Sequence, residues 1–268
     1  MPAIQLERLK SEASKLAERF HQPEAFIKQA KDIFEFYADR THRNTESGAP
    51  PPLLPTYRLP DQILRHILTA LRQHIETEPE TTLALVEELW KIEGLEFRLL
   101  ATRLLGRVTP ELFEEISQRL SSWAAKNEED LLLESMATDG LERIRTEQSD
   151  NYYGLLENWL AGEEVRLKKL ALRALLNLVS DDSFENLPVA YRLLEPTLAN
   201  ASSQLRPYVL AVLEPLAQRS PPETAYILRQ SLEENQTASN RWLTRHALVY
   251  FPQETQQRLR QVLKDTKA

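Results

Sequence analysis

Three leucine-rich stretches decide the fold: LLATRLL (99–105), LALRALL (170–176) and RHALVYF (245–251). Each of them contains one alanine of a regularly spaced series, within an apolar run at helical spacing. With two further alanines they form a series whose members lie 34 to 40 residues apart: Ala101, Ala137, Ala171, Ala211 and Ala247. A second apolar helix pattern precedes each alanine. A repeat of this length, built from two helices, is typical of an α-solenoid, in which small side chains let stacked helices approach closely.

We therefore predict an all-α fold, a right-handed α-α superhelix (solenoid) of HEAT-like helix pairs. The prediction covers residues 1–268 as one solenoid domain, with N-terminal helices over 1–40 and a proline-rich loop over 41–60. This loop, THRNTESGAPPPLLPTYRLP, holds five prolines and cannot continue a helix. We interpret it as a long surface loop that acts as a linker, with a mobile flap at a binding site as the alternative.

The helix boundaries follow from apolar periodicity together with proline and acidic residues at helix starts. The predicted helices cover approximately residues 4–20, 23–39, 61–71, 79–91, 95–107, 110–123, 128–145, 152–160, 163–179, 184–199, 202–218, 221–234, 239–250 and 252–266. Three of the leading helices end in a tryptophan: Trp90, Trp123 and Trp159. Because aromatic residues at regular spacing usually belong to the core, we expect these rings to fill the corner between the two helices of a pair.

The composition excludes several classes of protein. Apolar residues make up 42% of the 268 residues and charged residues 27%, as in ordinary globular proteins. The chain has no cysteine, which excludes disulfides, thiolate zinc sites and a cysteine nucleophile. No apolar run is long enough for a membrane span, and the first 20 residues are amphipathic rather than a secretory signal. We expect a cytoplasmic protein with no membrane partner.

The net charge of −7 hides a pattern in which basic residues concentrate on the second helix of each pair. In a right-handed stack the second helices line the concave side, so we expect a positive groove that attracts phosphate. The predicted backbone contacts to double-stranded DNA are Arg98, Arg103, Arg166, Lys169, Arg173, Arg241 and Arg245. One segment breaks the pattern, because residues 128–145 carry six acidic residues and two arginines.

Three segments resemble the AlkD-like DNA alkylation repair family: ELWKIEGLEFRLLATRLLG (88–106), NWLAGEEVRLKKLALRALLNL (158–178) and LRPYVLAVLEPLAQRSPPETAYILRQSL (205–232). The family consists of HEAT-like solenoids and includes DNA glycosylases that excise alkylated purines. The likeness extends over roughly residues 85–263. Its most specific part is the middle segment, with a tryptophan, a polar linker, a basic pair and an alanine. The resemblance implies a DNA-associated solenoid protein related to alkylation repair.

Active members of this family bring an aromatic residue, an aspartate and an arginine together in the concave cleft. By repeat register, the family's Trp-x-x-x-Asp element falls on Asp130 and Glu134, its arginine on Lys169 and its second cleft tryptophan near Ala211. Glu134 is therefore the candidate catalytic residue, since a carboxylate can support a developing oxocarbenium ion. The aromatic platform for a cationic base is missing at these positions. The resemblance thus implies weak or absent glycosylase activity.

Two alternatives stay open at this stage. A HEAT-type scaffold that holds a protein or peptide in its concave face is favoured by the acidic segment and by a pI of about 5.5. A complete enzyme would take its aromatic platform from Trp159, Tyr208 or Trp242. No cofactor and no metal site are predicted, because the glycines form no phosphate loop and the histidines are scattered. His66 and His74, two helical turns apart, are too distant to share one ion.

Overall fold

The computed structural model describes residues 5–39, 52–235 and 237–265, and within these ranges all regular structure is helical. The all-α prediction is confirmed. The α-helices are α1 (Leu6–Ala17), α2 (Pro23–Tyr37), α3 (Asp61–Thr77), α4 (Pro79–Lys91), α5 (Leu95–Leu105), α6 (Phe113–Ala125), α7 (Asp130–Thr138), α8 (Glu142–Glu147), α9 (Ser149–Ala161), α10 (Val165–Val179), α11 (Leu187–Asn200), α12 (Arg206–Arg219), α13 (Pro221–Glu234), α14 (Ala238–Ala247) and α15 (Gln253–Asp265). Short 3₁₀ helices precede α6 and follow α14, at Pro110–Leu112 and Leu248–Tyr250.

None of the described helices combines the length and the apolar character that crossing a bilayer requires.

The predicted continuous helix over 128–145 is wrong, because the chain turns between α7 and α8. The Gly140 N–H donates to the Ser135 carbonyl (2.9 Å), which closes the end of α7. The end of α5 meets this turn closely. A Cβ atom at Gly106 would lie only 1.7 Å from the carbonyl oxygen of Asp139. The two backbones therefore touch at a point where no side chain fits, and the second helix of this pair is split in two.

The chain divides into two compact units, Met1–Gln148 (unit 1) and Ser149–Ala268 (unit 2). Our prediction of one continuous solenoid domain stays a prediction. In unit 1, α3 packs against α1, α4 and α5, and α5 packs in turn against α7. The rings of Trp90 and Trp123 join α4 to α6, since they stack face to face with centroids 4.0 Å apart. Helix pairs thus succeed one another through unit 1.

Unit 2 has two layers of helices. One layer, which we call the basic layer, contains α10, α12 and α14, with α12 between the other two. The second layer runs through α9, α11, α13 and α15 in that order. The buried faces are mostly leucine, valine and alanine, and the fully buried Tyr152 donates its hydroxyl to the Ala174 carbonyl (3.0 Å). This layering places every second helix of unit 2 on the same side.

The alanine series is largely in the core, as predicted. Ala101, Ala137, Ala171 and Ala247 are at most 2% exposed, whereas Ala211 on α12 is half-buried. Among the tryptophans, Trp123 and Trp159 are buried and confirm the core interpretation. Trp90 is half-buried and packs on Trp123.

The second part of the predicted loop, residues 52–60, lies against the helices of unit 1; residues 40–51 of the loop region are outside the described residues. We call residues 52–60 the docking segment. Leu53 donates its N–H to the Glu129 carboxylate (2.7 Å), and Thr56 Oγ1 donates to Glu96 Oε1 (2.7 Å). The Leu95 N–H, at the start of α5, donates to the Pro55 carbonyl (2.9 Å). This part of the loop is therefore bound to the fold along its length.

Candidate nucleic-acid interface

The basic layer of unit 2 concentrates positive charge. Helix α10 carries four basic residues and no acidic residue, and α14 carries two arginines and no acidic residue. Helix α12, between them, has two arginines and one glutamate. In the other layer, acidic residues equal or outnumber basic ones on α9, α11 and α13. Helix α15 of the same layer is the exception, because it has three basic and two acidic residues. The predicted separation of charge by helix is therefore present in unit 2 from α9 to α14, but it does not extend to α15.

Helical spacing aligns the basic side chains within each helix. Arg166, Lys169 and Arg173 lie three and four residues apart on α10, which puts them on one face. Arg241 and Arg245 are four residues apart on α14. The start of each helix is capped by a side chain: the Glu164 carboxylate accepts from the Arg166 N–H and the Thr237 hydroxyl from the Asn240 N–H.

Aromatic rings of the neighbouring helix lie beneath several of these cations. Lys169 Nζ and Arg173 Cζ are 5.7 Å and 5.3 Å from the ring centroid of Tyr208 on α12. Arg206 on α12 repeats the arrangement, with Cζ 5.1 Å from the ring centroid of Trp242 on α14. These separations are within the range of cation–π attraction. The rings therefore hold the cationic groups in place across α10, α12 and α14.

Arg206 was not among the predicted contacts. Its Nε atom is buried without a hydrogen-bond partner among the described residues, and its guanidinium lies over Trp242. The Trp242 ring also stacks on His246 at 3.7 Å. Of the three rings considered in sequence as an aromatic platform, Trp159 is in the core, while Tyr208 and Trp242 are half-buried beside cations. Helices α12 and α14 each carry an arginine followed within two residues by an aromatic residue: Arg206 before Tyr208, and Arg241 before Trp242. This pattern is the signal that could have identified Arg206.

The two predicted arginines of unit 1 are bound within the fold. Arg103, 18% exposed, contacts Asp61 (Nη1 to Oδ1, 2.6 Å) and Asp139 (Nε to Oδ2, 3.1 Å). Burial alone would raise the pKa of Asp61, but the hydrogen bond from Arg103 and the positive charges of Arg103 and Arg65 lower the pKa of this carboxyl below its ordinary value. Arg98 donates from Nε to the Trp90 carbonyl (3.2 Å) and lies over the Trp90 ring.

Glu134, the candidate catalytic residue, is exposed on α7 in unit 1. Its main-chain carbonyl accepts the Thr138 hydroxyl (2.9 Å). Asp130, at the position where the family resemblance places a tryptophan, begins the same helix. Five of the predicted DNA contacts lie together on two helices of the basic layer: Arg166, Lys169, Arg173, Arg241 and Arg245. Arg98 and Arg103 belong to α5 of unit 1.

Comparison with known families identifies the family of this chain. The family model for the DNA alkylation repair enzyme matches residues 54–251. Because the match covers well over half of the chain, the protein belongs to this family, and the resemblance seen in the sequence is confirmed. Membership supports a function related to DNA repair. No curated protein and no solved structure matches the chain.

Proposed function

We propose that this protein binds duplex DNA through the basic layer of unit 2 and excises alkylated bases weakly or not at all. The observation that carries the proposal is that cations of α10 lie over a ring of α12, and a cation of α12 lies over a ring of α14. The proposal includes a right-handed solenoid of HEAT-like pairs with this layer on its concave side. Its support is the alternation of helices within each unit, together with membership of the family.

Phosphate is the ligand that this surface suits best. Lysine and arginine neutralise phosphates without reading the base sequence, and the aromatic rings beneath them limit the entropy lost on binding. None of the large apolar side chains that the described residues leave exposed is on these three helices: Leu131 is on α7, Tyr226 is on α13, and Val249 is in the 3₁₀ helix that follows α14. A protein-binding face would need such side chains at its centre. The basic layer therefore favours nucleic acid over a peptide or protein partner.

Charge reversal on the basic layer tests the proposal directly. The double variant Lys169→Glu, Arg245→Glu is expected to lower duplex affinity roughly 100-fold. It should also reduce the slope of log affinity against log salt by about 2, since each phosphate that the protein no longer neutralises lowers that slope by about 0.9. A fluorescence anisotropy titration at several salt concentrations measures both quantities.

A matched control places the same change in charge on the other layer. Arg229 on α13 and Arg258 on α15 are exposed and pair with glutamates on their own helices. The variant Arg229→Glu, Arg258→Glu should lose only the small affinity due to overall charge. Equal losses in both variants, or wild-type binding that is insensitive to salt, would contradict the proposal and favour the alternative, a scaffold for a protein partner.

Base excision requires a separate assay. Glu134 is exposed and Asp130 stands where the family resemblance places an aromatic residue, so the cation–π platform for an alkylated purine is missing at this position. We expect methylated duplex DNA incubated with excess protein to release base no faster than DNA alone. Release that the protein accelerates and that Glu134→Gln abolishes would show an active glycosylase. If the protein accelerates the release of base and Trp242→Leu, rather than Glu134→Gln, abolishes this effect, the aromatic platform would be on α14.

A further inference from the structure

Two histidines and a glutamate that are distant in sequence meet in unit 1. His21 lies between α1 and α2, His74 is in the last turn of α3, and Glu78 is the residue between α3 and α4. Their ligand atoms all lie within 4.8 Å of one another. His21 Nε2 is 2.6 Å from one carboxylate oxygen of Glu78, and His74 Nδ1 is 3.1 Å from the other.

The surrounding structure holds each of the three side chains in position. The fully buried Phe20 ring stacks on His74 with centroids 4.7 Å apart and an interplanar angle of 16°. The backbone of Glu78 is fixed on both sides, because its N–H donates to the His74 carbonyl (2.8 Å) and its carbonyl accepts from the Thr82 N–H (2.9 Å). The cluster is thus assembled before any ligand arrives, which lowers the cost of binding.

Two imidazoles and a carboxylate are the donor set of many sites for Zn²⁺ and neighbouring divalent transition metals. The side chains of His21, His74 and Glu78 are 56%, 32% and 31% exposed, so solvent reaches the cluster. A fourth position therefore remains for water. The histidine nitrogens that face Glu78 donate to its carboxylate, which keeps nitrogen and oxygen atoms close. To bind an ion at Zn–N distances of about 2.0–2.1 Å, each neutral imidazole would carry its hydrogen on the other ring nitrogen.

We propose that His21, His74 and Glu78 bind one first-row divalent transition metal ion, with Zn²⁺ as the reference ion and a water molecule as fourth ligand. The expected consequence of metal binding is structural. The family match begins at residue 54, and His21 belongs to the N-terminal helices that precede it. The ion would tie α1 and α2 to the part of unit 1 that the family shares. The proposal is independent of DNA binding, since the basic layer belongs to unit 2.

Isothermal titration with ZnCl₂ on protein freed of any polyhistidine tag tests this site. We expect one equivalent to bind and the midpoint of thermal unfolding to rise by about 5 to 10 °C at a free metal concentration 100-fold above Kd. Each of His21→Asn, His74→Asn and Glu78→Gln should weaken binding roughly 100-fold or more. Co²⁺ in place of Zn²⁺ should give a visible ligand-field absorption band that His21→Asn removes.

His66→Asn is the matched control, because this histidine lies on α3 but outside the cluster. It should leave metal affinity and the thermal shift unchanged. His74→Asn also removes the stacking on Phe20, so the decisive variant is His21→Asn, whose side chain is more than half exposed. No metal binding by the wild type, retained binding in His21→Asn, or an equal loss in His66→Asn would each overturn the proposal.

Discussion

Two arginines, one from each unit, have opposite surroundings. In unit 1, Arg103 on α5 contacts the carboxylates of Asp61 and Asp139 and is mostly buried. In unit 2, Arg206 on α12 lies over the ring of Trp242. Both arginines belong to second helices and look alike in the sequence. The comparison teaches that the sequence position of a basic residue does not decide its role. The neighbouring helix decides whether the charge is paired within the fold, through the side chain that it places beside the basic residue.

The neighbours explain the difference physically. A carboxylate beside an arginine satisfies its charge and fixes its geometry, so little potential remains for a ligand. An aromatic ring attracts the cation through its quadrupole and leaves the positive charge of the group intact. Unit 2 repeats this second arrangement on two successive helix contacts, with Tyr208 and then Trp242. This arrangement supports the proposed binding of DNA through unit 2.

The largest difference in stability is expected between two glycine substitutions, one in each unit. Gly106→Ala places a Cβ atom 1.7 Å from the Asp139 carbonyl oxygen, so backbone in unit 1 must move, at a cost of about 3 kcal/mol. Gly154→Ala on α9 in unit 2 meets no atom within 4 Å and should stabilise by about 0.5–1 kcal/mol. Urea unfolding measures both, and equal effects would show that the approach of α5 to the Asp139 turn is not tight.

A matched arginine pair tests the comparison itself. Arg103→Met should lower the free energy of unfolding by about 2 kcal/mol, because it leaves Asp61 and Asp139 without their shared partner. Arg206→Met should cost less than about 1 kcal/mol, since methionine still packs on Trp242. For DNA affinity we expect the opposite order, with Arg206→Met losing more affinity than Arg103→Met. Similar losses of stability and affinity in the two variants would remove the distinction between the units.

The smallest expected effect is an acid dependence that belongs to unit 1. The folded-state pKa of Asp61 is below its ordinary value of 3.8, so ionised Asp61 stabilises the fold above that pH. This contribution is lost as the pH falls below 3.8 and through the lower folded-state pKa. Because Asp61 is partly exposed, we expect under about 1 kcal/mol. The stability difference between wild type and Asp61→Asn should vanish in acid; a constant difference would exclude this ionisation.

Much of the fold could be predicted from the sequence, because helices and their buried faces depend on local periodicity. Proline indicated the starts of α2 and α13 correctly, at Pro23 and Pro221. The break between α7 and α8 has a local sequence signal, because Asp-Gly at 139–140 is a dipeptide typical of turns. Its close approach to Gly106 is a contact between separate helix pairs, which local patterns do not indicate. Apolar periodicity continues across this break, and periodicity alone therefore indicated one helix.

The candidate sites were less predictable than the helices. The excess of basic residues on the second helices can be counted in the sequence. The stacking of the helices, which the sequence pattern does not give, determines whether an arginine contacts a carboxylate or an aromatic ring. Arg103 and Arg206 are examples of the two outcomes. The histidine cluster shows the same limit more strongly, since His21 and Glu78 are 57 positions apart and meet only when α1 packs on α3. The spacing of His66 and His74 along one helix indicates correctly that these two histidines do not share a metal site. It gives no information about His21, which lies outside that helix.

The docking segment determines where this protein can be shortened. The Glu96 side chain is only 3% exposed, and one of its carboxylate oxygens accepts the Thr56 hydroxyl and the Leu59 N–H. A truncated chain that began at Asp61, the first residue of α3, would leave this charge in an apolar surrounding without those donors. The minimal folding unit therefore begins upstream of a helix, in extended chain that has no regular structure of its own. Deletion series guided by helix boundaries alone would remove it.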